Sequence, residues 1–132
     1  TMKISKFFLM AAVVLTGLAS CSKDKNDTKK QTSIEGVWTG TYVNDASGNS
    51  FFYSFNIKAG GTIEELNSSG QKIGQGTWEI ENDILTATYQ WPSGSKYSVI
   101  AAFYKDQAKL LGDWGYGSSA TNGGTWQMTK SN

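Results

Sequence analysis

The sequence of 132 residues contains no histidine, and its only cysteine is Cys21. Arginine is absent as well, so all 12 basic side chains are lysines. Without histidine and a second cysteine, the chain cannot build a Ser-His-Asp or Cys-His catalytic site, and it lacks the usual zinc ligands. The missing guanidinium group argues against nucleic acid or phosphate as a partner. The function classes that remain are ligand binding, interaction with other proteins, and catalysis by carboxylate or hydroxyl groups.

The segment before Cys21 has the features of an export signal. Lys3 and Lys6 give it a positive start, and an apolar stretch follows over 7–18 that is too short to span a bilayer. The segment ends in the run Leu-Ala-Ser-Cys. This order resembles the lipobox of bacterial lipoproteins, in which the cysteine thiol takes a diacylglycerol and a peptidase cuts before it. An ordinary secretory signal with a chance cysteine is the alternative.

Lipidation would also consume a thiol that has no partner. An exported chain with one cysteine cannot form an internal disulfide, so a free Cys21 would be a reactive liability. Two or three acyl chains anchor a protein stably, whereas one binds only marginally. We therefore expect a monomer in the cell envelope that is attached to the membrane by its lipid. The outer membrane is the expected site, on its periplasmic face or at the cell surface.

Composition divides the chain into three parts. The predicted signal peptide covers 1–20, and the lipidated cysteine with a polar, charged tether covers 21–33. The remaining residues, 34–132, are enough for one small domain and too few for two. Once the signal is removed, acidic side chains slightly outnumber lysines, so a basic membrane-binding patch is not expected.

Residues 34–132 alternate between apolar and polar positions, and turn residues interrupt them at short intervals. The pattern predicts eight strands, at 34–43, 51–59, 62–67, 74–81, 84–91, 97–105, 108–116 and 123–130. The connections are too short for parallel crossovers, which need a dozen residues or more. We predict an all-β fold, an antiparallel up-and-down meander closed into a small barrel. An open sheet or a two-sheet sandwich is the alternative.

Four segments share the pattern Gly-x-Trp, in which glycine and tryptophan face the same side of a strand. These are Gly36-Val37-Trp38, Gly76-Thr77-Trp78, Gly112-Asp113-Trp114 and Gly124-Thr125-Trp126. An inward glycine leaves room beside an indole and lets the strand coil sharply. The first segment resembles the signature of the calycins, the lipocalin and avidin-like barrels, whose tryptophan packs across the closed end. The chain as a whole looks most like small lipocalin-like lipoproteins of Gram-negative bacteria.

The calycin resemblance implies structural residues at the closed end of the barrel. We expect barrel-closing roles for Gly36, Trp38 and Trp126. Lipocalins usually place an arginine over the tryptophan, and Lys130 is the nearest substitute in this chain.

Aromatic side chains are the candidate ligand contacts, because small barrels bind ligands at an open mouth where apolar walls meet a few polar groups. Our candidates are Trp91, Tyr116, Tyr42, Tyr53, Tyr89 and Tyr97. A wider set adds Phe55, Trp78, Phe103, Trp114 and Trp126. A packed core is the alternative for each of them, because an eight-stranded barrel is just wide enough for its own side chains. Trp91, beside Pro92, and Tyr116, between two glycines, are the preferred rim residues.

The carboxylates do not form a catalytic pair, and neither a metal nor a cofactor is expected. Glu64 and Glu65 are adjacent, so they should face opposite sides of a strand, while Glu79 and Glu81 fit a solvated outer face. The leading hypothesis is a non-enzymatic, membrane-anchored barrel that binds a small hydrophobic or glycan-like ligand. The alternative is an inhibitor or interaction protein that acts through a surface loop, at 44–50 or 115–123.

Overall fold

The computed structural model describes residues 32–131, which form eight antiparallel strands. The strands are β1 (Gly36–Asn44), β2 (Ser50–Lys58), β3 (Thr62–Leu66), β4 (Lys72–Glu81), β5 (Ile84–Gln90), β6 (Lys96–Tyr104), β7 (Lys109–Tyr116) and β8 (Gly124–Lys130). Each strand pairs with the next, and β8 pairs with β1, which closes the sheet. The predicted all-β meander and its closure into a barrel are confirmed.

The export signal, Cys21 and all but the end of the tether lie outside the described residues. Among the residues that are described, no helix is long and apolar enough to cross a membrane.

The strands begin and end within two residues of their predicted positions, because side-chain alternation and turn chemistry agree along the chain. In β5, Leu85, Ala87 and Tyr89 are buried, while the residues between them are exposed. The hairpin that precedes it turns through Asn82 and Asp83, whose φ angles are 54° and 62°. Positive φ at both central residues is what a two-residue hairpin of type I′ requires, and Asn and Asp tolerate it.

One end of the barrel is closed by Trp38, which is fully buried. Its indole packs edge-to-face on Phe103 with 5.9 Å between ring centroids, and its Nε1 donates to the Ile34 carbonyl at 2.8 Å. Lys130 lies over the same indole, with Nζ 6.0 Å from the ring centroid, and donates to the Ser33 carbonyl at 2.8 Å. We call this the closed end; Gly36 begins β1 there.

The recurrent Gly-x-Trp pattern has a packing explanation in the register of β7 and β8. Gly112 lies directly opposite Trp126, and Gly124 lies directly opposite Trp114. A Cβ atom at Gly112 would overlap the carbonyl oxygen of Ile100, and one at Gly124 would overlap that of Val43. Each glycine therefore lets two strands approach closely and leaves space for the indole of its neighbour.

Candidate ligand-binding site at the barrel mouth

The end of the barrel opposite Trp38 holds a half-open cavity of about 190 Å³, here called the mouth cavity. It is lined by Tyr42, Asn44, Tyr53, Glu65, Tyr89, Trp91, Tyr97, Trp114 and Tyr116. All six candidates from the sequence are in this set. The structure adds Asn44, Glu65 and Trp114, of which only the tryptophan was in the wider set.

The up-and-down order of the strands explains why these residues meet. Odd-numbered strands end at the mouth and even-numbered strands begin there, so inward residues near those termini converge. β4 and β8 present glycines at this level instead of large side chains. A Cβ atom at Gly74 would come within 2.8 Å of Cδ1 of Trp91, so the glycine provides space for that indole.

The floor of the mouth cavity is a pair of buried tyrosines. The hydroxyl groups of Tyr53 and Tyr89 are 2.6 Å apart and share a hydrogen bond in which either can donate. Both side chains are 3% exposed, and burial raises the pKa of each above the usual phenol value of 10.0. Both phenols are therefore neutral at physiological pH, and they offer a ligand hydrogen bonds rather than charge.

The wall of the mouth cavity is a series of touching aromatic rings. Tyr42 meets Trp114 with centroids 5.4 Å apart, Trp114 meets Tyr97 at 6.2 Å, and Tyr97 meets Trp91 at 5.4 Å. Interplanar angles of 80°, 61° and 56° show that these rings are inclined to one another rather than stacked face to face. Tyr116 packs outside Trp114 and is 49% exposed, at the rim.

Glu65 is the one charged side chain in the lining, and it is 6% exposed. Its Oε1 accepts a hydrogen bond from Nε1 of Trp91 at 2.8 Å. Burial raises the pKa of the carboxyl group, and contacts with Trp91 and Tyr89 partly oppose that rise. The sequence pattern contained a signal for this position, because Glu65 lies two residues after the buried Ile63 and so faces the same side.

The other aromatic candidates lie away from the mouth cavity. Phe55 and Phe103 are in the core, and Trp126 is buried against Tyr53 and Phe55 beneath the cavity floor. Trp78 is partly buried, and its Nε1 donates to the Lys58 carbonyl at 2.8 Å, near the closed end. Packing in the barrel accounts for these four side chains.

The long loop after β7 folds back on the barrel instead of protruding. The Asn122 side-chain oxygen accepts from the backbone N–H of Tyr116 at 2.8 Å. Ser98 Oγ donates to the Gly117 carbonyl at 2.7 Å, which holds the loop against β6. This arrangement differs from the projecting loop that an inhibitor function would use.

Comparisons with known proteins return no relative: no family model matches the chain, and neither a curated protein nor a solved structure shows a significant match. Within residues 32–131, no cluster of three or more acidic side chains is placed to hold a metal ion. The mouth cavity is therefore the feature of the described residues from which a function can be proposed.

The buried carboxyl group of Glu65 predicts a pH-dependent stability. Because its pKa is raised above 4.5 by folding, its stabilising contribution is complete below that pH and is lost as pH rises through the folded value. In Glu65→Gln the amide oxygen can still accept from Trp91, but no charge is buried at high pH. We expect the free energy of unfolding of the wild type to fall, relative to this variant, as pH rises.

Urea denaturation of both chains between about pH 4 and pH 8 measures this difference. The other carboxylates are present in both chains, so their contributions to the pH dependence cancel in the comparison. Glu79→Gln is the matched control, because Glu79 is an exposed glutamate on the outer face of β4 and takes part in neither of the ion pairs among residues 32–131. A pH-dependent difference from the wild type is therefore expected in Glu65→Gln and not in this control. A constant difference between wild type and Glu65→Gln over the whole range would contradict the prediction.

Proposed function

We propose that this protein is a non-enzymatic binding module, a lipid-anchored barrel that holds a small ligand in its mouth at the cell envelope. The observation that supports this most strongly is the convergence of aromatic side chains from five strands on one half-open cavity. The tyrosine hydroxyls of the floor and the Glu65 carboxyl group supply polar contacts within apolar walls. This combination is typical of ligand sites in small barrels.

The volume of the mouth cavity limits the ligand to a compact group. About 190 Å³ is close to the roughly 150 Å³ of an engineered protein cavity that binds benzene. Cavities for drug-sized ligands occupy about 300–1,000 Å³. Below the cavity floor the barrel is filled by large side chains, including Phe55 and Trp126. The ligand we propose is therefore one ring or an equally compact group, and not an extended lipid chain within the barrel.

The lipoprotein part of the proposal is supported by the lipobox-like run that ends in Cys21. The described chain begins beside the closed end, where the backbone N–H of Thr32 donates to the Lys105 carbonyl at 3.3 Å. None of the residues that line the mouth cavity belongs to this end of the barrel. Radiolabelled palmitate incorporation that is lost in Cys21→Ala would test the anchor.

Ligand binding is tested with the full chain, purified in mild detergent from the envelope. Native mass spectrometry should show a small molecule that co-purifies with the protein. Phenol, indole and N-acetylglucosamine are then titrated as compact probes by isothermal titration calorimetry, because indole and phenol themselves absorb and fluoresce in the range of the protein's aromatic side chains. We expect at least one of them to give a saturable change. Tyr116→Ser should weaken that binding by about two- to tenfold, the range expected from the loss of one aromatic contact.

Tyr104→Ser is the matched control, because Tyr104 is similarly exposed, at 43% against 49%, but ends β6 far from the mouth. It should bind the probe as the wild type does. Finding apoprotein alone, with no saturable response to any probe, would exclude the proposed function.

A further inference from the structure

Glu65 has no cationic partner in the part of the chain that the structure describes. The ion pairs among residues 32–131 are Lys58 with Glu64 and Lys105 with Asp83, so no lysine lies within 4.0 Å of the Glu65 carboxylate. The side chains that donate hydrogen bonds to it, the Trp91 indole and the Tyr89 hydroxyl, are both neutral. A buried carboxylate without an opposite charge is unfavourable, and a positive group in the cavity would relieve that cost.

The aromatic walls offer a second, independent attraction for positive charge. Tyr42, Trp114, Tyr97 and Trp91 line the cavity and are inclined to one another, so their ring faces are not used up in a closed face-to-face stack. Among residues 32–131, the cation–π pair is Lys130 with Trp38, at the closed end. No lysine of the described residues therefore occupies the faces of the mouth rings. Ring faces of this kind attract organic ammonium groups.

We propose that the mouth cavity binds a small organic cation, with Glu65 as its counter-charge and the surrounding rings as its cage. This inference rests on the proposed function and names the ligand class for the same site. An ammonium group attached to a ring or to methyl groups matches both the compact volume and the apolar walls. A small metal cation is a poor match, because the lining offers one carboxylate and mostly aromatic rings.

A neutral ligand is the competing possibility, because the tyrosine hydroxyls and a protonated Glu65 could hydrogen-bond a sugar. Two pairs of probes, each a cation and a neutral compound of similar shape, distinguish the effect of ligand charge on binding from that of ligand shape. Choline is compared with 3,3-dimethylbutan-1-ol, in which carbon replaces the charged nitrogen, and benzylammonium is compared with benzyl alcohol. Tryptophan fluorescence titration of the full chain near pH 8 measures each affinity. At least one cation should bind about tenfold more tightly than its neutral counterpart.

Glu65→Gln should reduce the affinity for that cation by about tenfold or more, as expected when a buried charge pair loses one partner. Its affinity for the neutral counterpart should change by less than about twofold. Glu64→Gln is the matched control and should bind both probes as the wild type does, because its side chain faces outward.

Equal binding of cation and neutral counterpart would overturn the cation inference, and so would full cation affinity in Glu65→Gln. Failure of both cations to bind would overturn it as well. In each case the response to phenol, indole and N-acetylglucosamine decides separately whether the proposed function stands. If Glu65→Gln does not fold, the wild-type comparison within each probe pair is sufficient, since it needs no variant.

Discussion

Replacing Phe55 with alanine should lower the free energy of unfolding by about 3–5 kcal/mol. Phe55 is fully buried, and its ring lies 4.8 Å from Tyr53, 5.5 Å from Tyr89 and 5.5 Å from Trp126, measured between centroids. Truncation removes buried apolar surface and leaves a void that the closed barrel cannot easily fill. Because the Tyr53–Tyr89 floor rests on this ring, the shape of the mouth cavity should change too.

Urea denaturation of the full chain measures the loss. Phe52→Ala is the matched control, because Phe52 lies on the outer face of the same strand and is 43% exposed. Its effect should stay within about 0.5 kcal/mol, as is usual for surface positions. A loss below about 1 kcal/mol in Phe55→Ala would contradict the packed interior beneath the cavity.

Replacing Gly112 with alanine should destabilise the barrel by about 3 kcal/mol or more, at the upper end of the cost of overpacking. Strand propensity alone favours alanine slightly, because glycine loses more conformational freedom on folding. The geometry predicts instead that alanine at this position destabilises the barrel. A new Cβ atom would overlap the Ile100 carbonyl and approach both Cα and Cβ of Ala101, so two paired strands would have to separate.

Gly70→Ala separates this clash from ordinary backbone strain. Gly70 has a φ of +83° and open space around its Cα, so alanine there should cost only about 1–2 kcal/mol. Thermal and urea denaturation of both variants would show the difference. Equal losses at Gly112 and Gly70 would mean that the close approach of β6 and β7 is not needed for stability.

The residues that face the barrel interior could be predicted, because successive side chains of a strand point alternately to its two faces. Once Trp38 and Tyr42 are placed on one face, the same alternation in the other strands assigns Tyr53, Tyr89 and Tyr97 to the interior. The short turns indicate that neighbouring strands are antiparallel, so inward residues next to alternate turns must meet at one end. Alternation therefore accounts for Tyr42, Tyr53, Tyr89 and Tyr97 among the nine residues that line the mouth cavity, and the neighbouring proline and glycines indicated Trp91 and Tyr116 at its rim.

Glu65 was missed for an energetic reason. Alternation places Glu64 and Glu65 on opposite faces of β3, but charged side chains are almost never fully buried unless they are paired, so neither was expected to line a cavity. The position of Glu65, two residues after Ile63, indicated the inner face. The hydrogen bond from Trp91, which directly follows β5 and lies beside Gly74 of β4, shows how the interior accommodates the carboxylate.

Trp114 and Trp126 show the limit of a pattern that repeats along a chain. Both follow a glycine by two residues and both face inward, yet Trp114 lines the cavity while Trp126 is buried beneath it. Local sequence cannot distinguish them, because their depth in the barrel depends on how the strands are staggered around the closed sheet.

The sequence alone determined the all-β class, the eight strands, their order and the face on which each aromatic residue lies, because these depend on short-range alternation and turn chemistry. The tertiary structure decided the depth of each inward side chain, the burial of Glu65 and the volume of the mouth cavity. Those properties arise only when β8 pairs with β1, since closure sets the stagger of the strands and brings distant side chains into contact.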